Sequence, residues 1–213
     1  MGTDPWADAR RLEAWAGEVR VNMLRAAALI IFYGHHLLDV YAYGRDHSTE
    51  AAIYHAEVTA IVLAWTGAII ILYLCLARRW VPPGLKYAAT FWDITMISAL
   101  LIVSPDGPRD PLLYLYFVVL ASVPLRLSLS LVAIATLGIM AAATLVMGHY
   151  VFYRVGRDAY YAADSPYRIA RSSEIIFLLS IGAMGLFAGQ SVRQARRLVR
   201  GYPVVVQEPQ EVA

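Results

Sequence analysis

Long apolar runs separated by short polar punctuation occupy most of this 213-residue chain. They extend from Met23 to Tyr43, Val58 to Ala77, Tyr87 to Val103, Leu112 to Leu127, Leu129 to Phe152 and Ile175 to Val192. A helix of about 20 apolar residues covers the roughly 30 Å of a bilayer core, so each run reads as a transmembrane helix, the fourth being short for the task. The predicted fold class is all-α, a polytopic six-helix transmembrane bundle over residues 23–192. It is preceded by a segment 1–22 and followed by a basic helix end and stub, 193–213.

The terminal segments carry their own patterns. Asp4-Pro5 is a helix start, with the carboxylate as cap and proline in the first turn. Trp6, Ala9, Leu12, Trp15 and Val19 follow at roughly helical spacing between charged residues, which predicts an amphipathic helix lying on the membrane interface. At the other end, Gln190 to Arg200 is a basic helix leaving the membrane, stopped by Gly201, Tyr202 and Pro203.

Composition agrees: 59% hydrophobic residues, 16% charged and a mean hydropathy of +0.54 suit lipid better than water. The first twenty residues hold Asp4, Asp8, Glu13 and Glu18 in place of a basic region leading into an apolar run, so the first span reads as an uncleaved anchor. The single cysteine, Cys75, lies within the second span and offers neither a disulfide nor a thiolate cluster. Lysine and arginine are unevenly shared. Arg10, Arg11, Arg20, Arg25, Arg78, Arg79, Lys86, Arg126, Arg193, Arg196, Arg197 and Arg200 fall on one side, against Arg45, Arg109, Arg154, Arg157, Arg168 and Arg171 on the other. Positive-inside bias then places both termini in the cytoplasm of a bacterial inner membrane.

Ionisable residues inside spans are costly and mark the places where function is sought. Two groupings emerge. His35, His36 and Asp39 near the outer end of span one, His55 and Glu57 at the start of span two, and His149 near the end of span five share a depth. His35, His36, Asp39, His55 and His149 are candidate cofactor-binding residues, for haem b or a quinone, and His36, His55, Glu57 and His149 a candidate transition-metal set. Hydrogen bonding among the neighbouring tyrosines is the simpler role for the same imidazoles. The second grouping is Asp93 in span three with Arg126 at the end of span four, predicted to form a structural ion pair on the cytoplasmic side. Gly185 and Gly189 form a GxxxG step suited to close packing within the chain or between copies.

The chain has no Walker loop, dinucleotide fingerprint, HExxH, GxSxG or CxxC, so no hydrolytic or transfer chemistry is assigned, and nothing points to nucleic acid. Lys86 to Val151, with Asp93 in span three and Gly107-Pro108-Arg109-Asp110-Pro111-Leu112 in the following turn, resembles the six-span sensory anchors of bacterial sensor histidine kinases and membrane-bound nucleotide cyclases. In the redox-responsive kinases the corresponding turn carries a Gly-Gly-x-x-Asn-Pro-Phe motif tied to quinone sensing; the second Gly, the Asn and the Phe are absent here. The resemblance implies a non-enzymatic sensor or anchor that works with a cytoplasmic partner or as a homodimer, attached to or serving an output domain. A redox subunit of the cytochrome b type, and a structural accessory subunit of a larger complex, are the competing expectations.

Overall fold

The computed structural model describes residues 5–42, 48–82, 84–162 and 164–201, with the side chains of 5–14 and 198–201 left aside. The Asp4 cap, the loop around His47 and the stub beyond Gly201 lie outside the described residues. The described chain is all-α: α1 (Pro5–Tyr41), α2 (Thr49–Ala77), α3 (Leu85–Val103), α4 (Leu115–Ser122), α5 (Leu129–His149), the short α6 (Arg157–Tyr161) and α7 (Arg171–Gly201). Five of these carry segments long and apolar enough to cross a membrane: Trp15–Tyr41, Thr49–Ala77, Leu85–Val103, Leu129–Val155 and Arg171–Arg197. The α5 segment continues through a π-helical turn, Tyr150–Val155.

The fourth traverse is built differently. Three-ten turns at Pro111–Tyr114 and Val123–Arg126 flank the eight residues of α4. A 3₁₀ turn rises about 2.0 Å per residue against 1.5 Å in an α-helix, which stretches this short apolar segment to about 28 Å. It runs antiparallel to α3 for that helix's whole length. Ser104 hydroxyl meets the Asp110 carboxylate at one end, Ser98 and Tyr116 hydroxyls bond at 2.8 Å in the middle, and Arg126 Nη1 donates to Lys86 O at 3.0 Å at the other.

Helix α3 is the centre of the bundle. It packs against α2, α5 and the fourth traverse, and 44% of its most apolar window is buried, against 17% for α2. Its inner face supplies Ile94, Ile97, Leu100 and Leu101 to a continuous core with Val58, Val62, Tyr116, Leu120, Leu131, Ile139 and Ile181. Large apolar side chains such as Leu63, Tyr73, Leu137, Leu145, Leu179 and Leu186 point outward. A soluble protein could not carry them there, whereas a bilayer accommodates them at no cost.

No break in the helix marks the boundary expected at residue 22. α1 continues unbroken for 37 residues, and from Trp15 onward it belongs to the bundle. Trp15 Nε1 donates to Leu76 O at 2.9 Å, and Gly17 lies so close to the Leu125 carbonyl that a β-carbon there would sit 2.6 Å from it. Within residues 15–22 the pattern thus serves helix–helix contacts. Because the Trp15 contact and the bond from Arg196 to Leu127 O lie at the same end of the bundle as Arg126, the start of α1 and the end of α7 emerge together.

Candidate functional site

Two polar regions lie within the apolar frame, one at each end of the bundle, together with a cleft on its flank. The first joins α1, α3 and the 3₁₀ turn before Leu127. Glu18, Asn22 and Arg25 recur at i, i+4 and i+7 and so share one face of α1, while Lys86, Thr90 and Asp93 repeat the spacing on α3. Arg25 donates from Nε to both Asp93 oxygens, at 2.8 and 2.7 Å, and its Nη2 lies 2.6 Å from Oδ2. Trp65 Nε1 of α2 donates to the same carboxylate at 3.1 Å. Arg126 Nη2 stands 3.0 Å from Glu18 Oε2, and Nη1 reaches Thr90 Oγ1. All four charged residues are buried, and two guanidinium groups against two carboxylates cancel.

The sequence pairing of Asp93 with Arg126 is therefore corrected: Asp93 pairs with Arg25, and Arg126 with Glu18. Sequence reasoning placed Arg126 within reach of span three, which is right, since it bonds to Thr90 and Lys86 there. It read Glu18 as part of an interfacial helix and Arg25 only as one of the basic residues on that side. Their seven-residue spacing with Asn22 between was the available signal. Arg25 Nη1, Arg126 Nε and Asn22 Oδ1 bond to nothing among the described residues, so the network holds unspent hydrogen-bonding capacity.

At the opposite end, the histidines expected to cluster divide. His36 Nε2 and His55 Nδ1 bond directly at 3.1 Å across α1 and α2, their rings stacked with centroids 5.3 Å apart. Tyr33 stacks on His36, while Tyr54 and Tyr41 meet His36 and His55 edge-on. His35, Asp39 and Glu57 are exposed, and Asp39 lies one turn along α1 from His36. His149 stacks on Tyr153 of its own chain segment, on α5, which packs against α3 and α7. No group of three or more metal-ligating side chains assembles among the described residues. The expected set of His36, His55, Glu57 and His149 is not brought together, and the two bonded imidazoles alone fall short of the three protein ligands of a catalytic zinc or the four of a structural one. A haem would need the two imidazoles on opposite faces of a macrocycle, whereas here they touch. The pair serves as a hydrogen-bonded clasp between α1 and α2.

The cleft was not anticipated. It has a volume of about 600 Å³ and lies between the turn Pro108–Asp110, α4, α5 and α7. Its apolar wall includes Leu113, Phe117, Met147 and Phe177, with Phe117 and Phe177 in edge-to-face contact at 5.6 Å. Its polar rim is Arg109, Asp110, Ser173 and Glu174. The turn that shapes it is fixed by Gly107, whose φ of +55° suits glycine, and whose missing β-carbon admits the Tyr150 ring. Asp110 accepts from the Ser104 hydroxyl and from the Leu112 N–H at 2.9 Å. Arg109 Nη2 donates to Pro166 O at 2.6 Å, which ties the turn to the segment before α7. Burial raises the Tyr160 phenol above its ordinary pKa, so it stays protonated and donates to Glu174 Oε1 at 3.4 Å while accepting from the Ile169 N–H.

Fold and surface together define a multi-pass helical membrane protein. A scan of protein-family models, a search of curated proteins and a search of solved structures each return no match. The resemblance to kinase and cyclase anchors accordingly gains no support from relatives.

Proposed function

We propose that the chain is a non-enzymatic membrane sensor or anchor module of a bacterial inner membrane, in which α7 carries a change at the outer cleft to a cytoplasmic partner. The observation that supports this reading is the course of α7. A single helix of 31 residues lines the cleft with Ser173, Glu174, Ile176 and Phe177, then reaches the opposite end, where Arg196 donates to Leu127 O from Nε at 3.0 Å and Nη2 at 2.6 Å. Leu127 closes the same turn that holds Arg126 in the buried charge network, so α7 touches the cleft at one end and the joint between α1, α3 and α5 at the other. Residues 177 and 193 are about 24 Å apart along the helix.

The test needs no ligand. In a Cys75→Ser background, a cysteine at position 193 is labelled with a maleimide in membranes, with and without Phe177→Trp, which crowds the cleft. The reading expects the labelling rate to change at least threefold. Equal rates, with the bundle intact by thermal melting, would remove α7 as a transmitter and leave a structural accessory role.

A further inference from the structure

We propose that the outer cleft is a selective site for one phospholipid class, a lipid whose headgroup pairs a phosphate with a primary ammonium, as in phosphatidylethanolamine. The proposal rests on the cleft being the receiving site named above and gives that site its ligand chemistry.

The cleft has the form of a lipid seat. Its mouth is flanked by Tyr114 and Ile176, which are 66% and 62% exposed and must meet lipid, so its occupant arrives from the bilayer and not from water. Below the rim, Ile176, Phe177 and Leu178 descend toward Ser180 over about 6 Å, facing Phe117, Ala143 and Met147. That wall suits the upper part of an acyl chain and offers few polar partners. Headgroup chemistry is decided at the rim. Of its three charged residues, Asp110 is held in the turn by the Ser104 hydroxyl on one oxygen and the Leu112 amide on the other, and adds its negative charge to the rim. What remains is one guanidinium, Arg109, with a single nitrogen committed to Pro166 O, and one carboxylate, Glu174, whose Oε1 alone receives a long bond from Tyr160. A guanidinium recognises a phosphate, and a carboxylate recognises a group with N–H donors. An anionic headgroup such as phosphatidylglycerol satisfies Arg109 and is repelled by Glu174. A choline headgroup supplies positive charge and no N–H to donate. An ethanolamine headgroup meets both residues.

Native mass spectrometry of the purified full chain, offered equal amounts of phosphatidylethanolamine, phosphatidylcholine and phosphatidylglycerol of one acyl composition, tests this. The expected result is about tenfold preference for the ethanolamine lipid, on the scale of one hydrogen bond to a charged group. Glu174→Gln should erase the distinction between ethanolamine and choline lipids, and Arg109→Gln should weaken both. Ala143→Trp, which fills the cleft, should abolish specific binding. Equal binding of the three lipids, preference for the anionic one, or a preference unmoved by Glu174→Gln would overturn the proposal. So would a retained quinone in place of lipid. If either rim variant fails to fold, the ethanolamine-to-choline ratio of the unaltered protein decides alone. The α7 labelling experiment uses no added lipid, so a failure here is separate from a failure of the transmitter reading.

Discussion

At the scale of single residues, the molecule is organised by charges that have left water. A buried guanidinium deprived of its carboxylate is among the most costly defects a protein can hold, about 3–5 kcal/mol. Asp93→Leu should therefore destabilise the bundle by that order, measured by unfolding in mixed micelles. Pairing is read from double-mutant cycles. Arg25→Gln with Asp93→Asn, and Glu18→Gln with Arg126→Gln, should each show coupling of about 1–3 kcal/mol, while Asp93→Asn with Arg126→Gln should show distinctly less. The opposite ranking would restore the pairing suggested by sequence position. By comparison, the His36–His55 clasp is a single hydrogen bond at a half-buried site, and His55→Ala should cost about 1 kcal/mol.

At the scale of elements, close approach depends on which small residues face a neighbour. Gly185 of α7 lies against Thr136 of α5, in contact so tight that a β-carbon would collide with the threonine side chain, whereas Gly182 and Gly189 have open space before them. The Gly185–Gly189 step is thus used by one residue within the chain. Gly185→Val should lower the melting temperature by several degrees and be partly rescued by Thr136→Ala, while Gly189→Ala should leave it unchanged; equal sensitivity at both positions would point to a second copy covering Gly189. Apolar run length made the five long traverses legible before any coordinates. The fourth traverse was legible only as a short run, because residue counts carry no record of 3₁₀ stretching. The cleft was invisible to sequence reasoning for a related cause: Phe117, Met147 and Phe177 are ordinary lipid-soluble residues until three elements converge on them. Glu18 escaped because a charge in an amphipathic segment looks the same whether it meets headgroups or a buried arginine.

At the scale of the whole molecule, six traverses bring the start of α1 and the end of α7 to one end, together with most of the basic residues. Single cysteines at positions 20 and 193, in the Cys75→Ser background, should resist a membrane-impermeant maleimide in spheroplasts and react after lysis, while one at position 158 reacts at once. Labelling of all three from outside would contradict the layout. The buried quartet also bears on how the chain is made. Of the five long spans, those in α1 and α3 have the lowest hydropathy, and they are the two that carry its charges. Glu18 and Arg25 enter the membrane on α1, yet Asp93 and Arg126 emerge only later, the last of them more than a hundred residues after Glu18. At about 5–20 residues per second that interval is roughly 5–20 s. Glu18 lacks Arg126 for all of it, and for its earlier part Arg25 lacks Asp93 and Asn22 lacks the Ile69 carbonyl to which its amide donates at 3.3 Å, in a medium that tolerates none of them well. Helix α1 therefore completes its charge pairing only when α3 and the Arg126 turn arrive, although it is made before both.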